Sequence, residues 1–151
     1  MALTPTAREP AARRALAFMA VALALVVAHT GPRRRRFARM VALARLARQL
    51  GRRPVDEGTA LSMVRAVDAV GRLVPLRVAC LERTTAAVTA LAACGWRAHW
   101  CHGVAPDPVR LHAWMETDTG ARVGEPPDVR EYTRTLRIGR EPRSQAWTVH
   151  S

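Results

Sequence analysis

The hydrophobic pattern divides the chain near residue 95. Before it, apolar positions recur at three- and four-residue steps; after it, they shorten towards alternation. Residues 15–28 form an unbroken apolar block behind Arg13 and Arg14. The block falls short of the roughly 20 residues that span a bilayer, and alanine contributes little to insertion. A secretory signal needs a basic start, a short apolar stretch and a small-residue cleavage site, and Arg33 to Arg36 follow this one directly. A buried core helix is therefore favoured over a membrane-surface segment or a cleaved signal, with membrane contact through residues 15–28 kept as the second reading. Thr30-Gly31-Pro32 breaks the pattern, with Gly31 placed as a helix stop. Arg36–Leu50 then reads as an amphipathic helix: Phe37, Met40, Val41, Ala44 and Ala47 share a face. A third helix is predicted over residues 55–70, with Asp56 and Glu57 where the helix dipole favours negative charge. Gly71 stands as its stop, and Pro75 holds off the next. A fourth begins at Cys80, carries Leu81, Thr84, Val88 and Leu91 at helical spacing, and ends at Gly95.

From Trp96 the spacing predicts short strands and turns. Arg97, His99 and Cys101 alternate with Trp96, Ala98 and Trp100; residues 103–108 read as a loop; residues 109–117 read as the next strand. Asp118-Thr119-Gly120 is a hairpin turn. After Pro126-Pro127 comes one helical turn over residues 128–132, and no element is assigned beyond Arg134. Helices first and a small antiparallel sheet second make an α+β arrangement.

Length and composition set the frame. At 151 residues the chain is one domain by expectation, organised as an apolar helix and basic linker (1–34) and a core with an arginine-rich tail (35–151). Residues 1–10 are expected to fray. The net charge is +12 and every residue counted as lysine or arginine is arginine, which favours an anionic partner: nucleic acid, a membrane face or an acidic peptide. No zinc-finger, basic-zipper or RNA-binding aromatic signature accompanies the arginines, so nucleic acid is not the expected partner. Three cysteines are an odd number for a disulfide framework and suit a reducing cytoplasm.

Chemistry concentrates between residues 80 and 125. A thiol at a helix start receives unpaired amides and the positive dipole end, both of which stabilise thiolate. The same amides serve a tetrahedral oxyanion. Cys80 occupies that place. His112 shares a strand face with Trp114 and Glu116, while Leu111, Ala113 and Met115 take the other; the remaining histidines have no comparable setting. If the hairpin loop is even in length, Trp114 stands across from Glu125, which then lies on the face of His112. An odd loop would turn Glu125 away and bring in Asp118 or Asp128. The three would act as nucleophile, base and orienting acid. A zinc site drawn from Cys94, Cys101, His102 and His112 is an alternative without the paired spacing zinc sites use, and an arginine-rich nucleic-acid-binding module is another.

The blocks Ala79-Cys80-Leu81-Glu82-Arg83-Thr84, Gly95-Trp96-Arg97-Ala98-His99-Trp100, His102-Gly103-Val104, His112-Ala113-Trp114-Met115-Glu116 and Val123-Gly124-Glu125-Pro126 resemble the lasso-peptide maturation proteases. That family belongs to the transglutaminase-like cysteine protease superfamily. The resemblance runs over roughly residues 35–133 and is strongest over 77–129. It implies a papain-like core and a Cys-His-acid triad at Cys80, His112 and Glu125, without metal or cofactor. It also implies removal of the leader from a ribosomally made precursor peptide, alongside a cyclase. Family members often carry aspartate near the position of Glu125. With no room for a leader-recognition domain, the chain resembles the split form that relies on a separate leader-recognition protein.

Overall fold

The computed structural model describes residues 11–139; the expectation for residues 1–10, the end of the arginine-rich tail and His150 lie outside them. Four helices come first: α1 (Ala11–His29), α2 (Arg36–Leu50), α3 (Glu57–Leu73) and α4 (Cys80–Ala93). A short β1 (Arg53–Pro54) lies between α2 and α3. Then follow β2 (Trp96–Arg97), β3 (His99–Ala105), β4 (Arg110–Glu116), β5 (Arg122–Val123) and β6 (Thr133–Ile138). This is the expected α+β order. The main sheet is antiparallel in the order β5-β4-β3-β6, and β1 pairs with β2 in parallel.

α4 is the central helix. Most of its residues are buried, and α1, α2, α3 and β4 all pack on it. Alanine dominates these contacts: Ala17, Ala24, Ala44, Ala86 and Ala90 are fully buried, so helix axes approach closely. Helix α1 is part of this core through Ala17, Ala20, Val21, Ala24, Leu25 and Ala28. Two buried polar side chains are paired across elements, which offsets the cost of their burial. Trp100 donates its indole N–H to Thr85 Oγ1 at 3.1 Å, and Thr84 donates to the Ala113 carbonyl at 3.0 Å, fastening α4 to β3 and β4.

Three sequence expectations need correction. Helix α3 runs past Gly71 to Leu73; its end comes from Pro75, which holds Val74 in extended backbone (φ −84°, ψ 134°). Its start is capped by Asp56, whose carboxylate accepts from the Thr59 amide at 2.9 Å. Residues 103–105, expected as loop, extend β3, because all three pair with β4 on one side and Gly103 and Val104 pair with β6 on the other. Strand β6, where the sequence pattern predicts no element, forms the edge of the sheet beside β3. The helical turn near residue 130 is a 3-10 turn over Pro127–Glu131.

Candidate active site

Cys80 is the first residue of α4. The capping position before it is Ala79, which has no side-chain acceptor, so the first-turn amides remain open to other acceptors. Glu82 reaches back to the Ala79 N–H at 3.2 Å and is itself fully buried against Arg36, which ties α2 to the start of α4. Burial would push the half-buried Cys80 thiol up. Hydrogen bonding to His112, the Ala113 and Leu81 amides and the His112 charge outweigh it, and the thiol is held below its ordinary value. Ala113 thus turns both peptide groups towards α4, its carbonyl to Thr84 and its amide to the sulfur.

His112 lies on β4 opposite Gly103, stacked on Trp114 with ring centroids 6.2 Å apart and flanked by Tyr132 at 5.3 Å. Its Nε2 bonds the Glu125 carboxylate at 2.7 Å, leaving Nδ1 for the thiol. The hydrogen bond with Cys80 and then that with Glu125 raise the imidazole to about 9, against the opposing effect of burial. Both shifts act in the same direction, favouring a thiolate beside an imidazolium over the neutral pair.

Glu125 reaches this place by a route that alternation did not foresee. The hairpin pairs Met115 with Val123 and Glu116 with Arg122, and the Thr117 amide bonds the Ala121 carbonyl. The loop is thus the three residues Asp118-Thr119-Gly120, an odd length, with Gly120 at φ +86°. In that register Glu125 would stand across from Ala113 and face away from His112. Pairing stops at Val123, however, and Gly124 adopts φ +67°, turning the chain so that Glu125 comes alongside His112. The even-loop expectation is overturned, while the contact it was meant to deliver is present.

Behind Glu125 stands Arg83, which sequence reasoning did not single out. Its Nη1 bonds Glu125 Oε1 at 2.8 Å, its Nη2 bonds the Gly124 carbonyl at 3.0 Å, and its Nε bonds Asp68 at 2.6 Å. Arg83 follows Cys80 by three residues, so the two share a helical face, a signal available in the spacing. The chain of contacts runs Asp68, Arg83, Glu125, His112, Cys80. A pocket of about 520 Å³ opens beside Glu125, with Arg122 and Arg130 in its wall.

The other candidates lie elsewhere. Asp118 is bound by Arg97 at 2.5 Å and by His99 Nε2 at 2.7 Å, so His99 also has a carboxylate partner, contrary to expectation. The thiol nearest in sequence to that pair, Cys101, is buried and pushed up to about 12, chiefly by burial, which leaves it unreactive. Asp128 sits on the 3-10 turn, close enough to Arg110 to be felt there. His102 packs edge-on against Phe37 and stacks on Trp100. The zinc alternative loses its basis: Cys94 is exposed at the far end of α4, and among the described residues no group of three possible ligands converges.

A family model for the transglutaminase-like superfamily matches residues 19–137. The chain belongs to the transglutaminase-like superfamily. Its match begins inside α1 and ends in β6, so it takes in Cys80, His112 and Glu125 together with the four-stranded sheet that carries the histidine. A transglutaminase-like domain is compatible with cysteine peptidase chemistry. No curated protein and no solved structure matches the chain.

Proposed function

We propose that this transglutaminase-like protein is a cysteine peptidase that removes the leader from a ribosomally made lasso-peptide precursor. It works in the cytoplasm with a separate leader-recognition protein and a cyclase. The observation carrying the chemical part is the reciprocal Cys80–His112 contact with Glu125 on the second imidazole nitrogen. The resemblance of residues 77–129 to lasso maturation proteases carries the substrate.

The Cys80 thiolate attacks the scissile carbonyl carbon, forming a C–S bond, and the oxyanion lies against first-turn amides of α4. His112, already protonated, gives its Nδ1 proton to the leaving amine as the C–N bond breaks. Water then attacks the thioester and passes a proton back to His112. Breaking the C–S bond releases the leader acid and restores the thiolate–imidazolium pair. Glu125 keeps the ring oriented throughout by accepting from Nε2. The exposed Arg130 in the adjoining pocket suits an acidic stretch of substrate.

The test is to incubate the protein, its recognition partner and the precursor, and to read the products by mass. Cleavage is expected with the natural chain and none with Cys80→Ala folded to the same degree. Undiminished cleavage by Cys80→Ala would remove the thiol from the reaction. Cleavage of unrelated peptides at equal rate would remove the precursor as its substrate.

A further inference from the structure

We propose that the outer face of α1, continued onto α2, docks the protein on the surface of an anionic lipid bilayer. The inner face of α1 is committed to the core, which rules out a spanning role without dismantling the fold. Its outer face presents Ala15, Phe18, Met19, Ala22, Leu23 and Val26, spaced as one helical stripe, all exposed and all apolar. The four larger side chains are 43–68 % exposed. α1 is apolar enough to satisfy the composition of a membrane span, with a mean hydropathy of 1.9. Where α1 meets α2, a groove of about 480 Å³ between Val26, Leu43 and Leu46 is wide enough to take part of an acyl chain.

Charge complements this stripe. Residues 1–50 hold ten arginines against one acid, whereas residues 51–151 hold fourteen against eleven. Exposed arginines stand at both ends of the stripe: Arg14 before it, and Arg33, Arg34 and Arg35 after it. Arg14 lies in the first turn of a helix that has no acidic residue there, where a cation opposes the helix dipole. The arrangement costs the helix stability and suits an outside anion. A protein partner needs about one hydrogen bond per 100–200 Å² of interface, and no side chain on the stripe between Ala15 and Val26 offers one. An interfacial helix needs none: its apolar face enters the acyl boundary while arginines stay at the headgroups.

The full chain would be sedimented with vesicles of phosphatidylcholine alone and with about 30 % phosphatidylglycerol, over a salt series. Partitioning is expected to be at least about 30-fold stronger on the anionic vesicles and to weaken with salt. Leu23→Gln with Val26→Gln should lose at least about tenfold, and Arg33→Gln, Arg34→Gln and Arg35→Gln together about 100-fold, near fivefold per arginine. Alkylation of Cys80 at the natural rate in each variant would show that the fold is intact, and binding is read without reference to peptidase activity. Equal partitioning on both vesicle types would overturn the proposal. So would anionic binding that ignores the Leu23/Val26 change, which marks adsorption of a basic protein only. A dimer, or a complex with an acidic protein, that dissolves in the Leu23/Val26 variant while vesicle binding is absent would assign the face to that occupant instead.

Discussion

Glu125 is held by two cations at once, His112 on one oxygen and Arg83 on the other. Its position is fixed by the guanidinium, whose planar fork also spans Asp68. In the proposed reaction Arg83 is a positioning residue: it contacts Glu125, Gly124 and Asp68 and acts through the carboxylate. Arg83→Met should lower kcat by about 10- to 100-fold with little change in KM, since small misplacements at a reacting centre carry penalties of that order. Arg83→Lys can reach Glu125 or Asp68 but not both, and should recover part of the loss. Glu125→Gln keeps the shape without the charge and should reduce kcat by about two orders of magnitude or more. Asp118→Asn, whose carboxylate serves His99 and Arg97, should leave cleavage near the natural rate. Steady-state kinetics on the four variants distinguishes these outcomes; an Asp118→Asn enzyme slower than Glu125→Gln would reverse the assignment of the orienting acid.

Among the elements, the β4–β5 hairpin decides the site. Alternation along β4 correctly separates His112, Trp114 and Glu116 from Ala113 and Met115, because one set packs with the small Trp114 cluster and the other enters the main core. Alternation could not carry the argument to Glu125, since loop parity and a left-handed bend are choices of backbone that side-chain pattern does not encode. Gly124 makes that bend. A methyl group there would sit 2.7 Å from Val64 Cγ1, and φ +67° is strained for any residue with a Cβ. Gly124→Ala is expected to cost about 1–3 kcal/mol of stability and to reduce activity beyond the fraction unfolded, because Glu125 moves with the turn. Urea denaturation paired with activity at equal folded fraction checks this; a destabilised but fully active variant would show that Glu125 finds His112 without the bend. Strand β6 escaped sequence reasoning for a different reason. Its arginines look like a solvated tail, yet the Arg137 side chain is 1 % exposed and, with Arg134, faces the buried Glu116 carboxylate. Pairing inside the fold is invisible to a pattern that scores arginine as surface.

Across the whole molecule, charge is distributed in two ways. Beyond residue 50, the arginines on α4 and the sheet are matched to carboxylates: Arg83 to Asp68 and Glu125, Arg97 to Asp118, Arg110 to Glu131, and Arg122, Arg134 and Arg137 to Glu116. The surplus lies in the first 50 residues, on the helices that wrap α4. One half of the chain thus builds a compact, internally neutralised site, and the other presents an apolar and basic exterior. The helices were legible because their apolar stripes and breakers are local, whereas the ion pairs that organise the sheet join residues far apart in sequence.

The proposed mechanism rests on Cys80 and His112 acting as a thiolate–imidazolium pair, and the pH dependence of Cys80 alkylation by iodoacetamide tests this without any substrate. An ordinary thiol, with a pKa near 8.5, loses about tenfold in rate per pH unit below that value. The Cys80 thiol is lowered, so its thiolate persists as pH falls below the ordinary range and is lost only through its own depressed value. His112 is raised to about 9, so its proton is kept up to that pH and lost above it. Peptide mass mapping of the alkylated protein should therefore show Cys80 labelled faster than free cysteine at pH values below the ordinary thiol range. If the proposed reaction holds, leader cleavage draws on the imidazolium proton and should decline above about pH 9 while alkylation does not. His112→Ala should return Cys80 to the profile of an ordinary thiol. A natural protein whose Cys80 already follows that ordinary profile, unchanged by His112→Ala, would contradict the account.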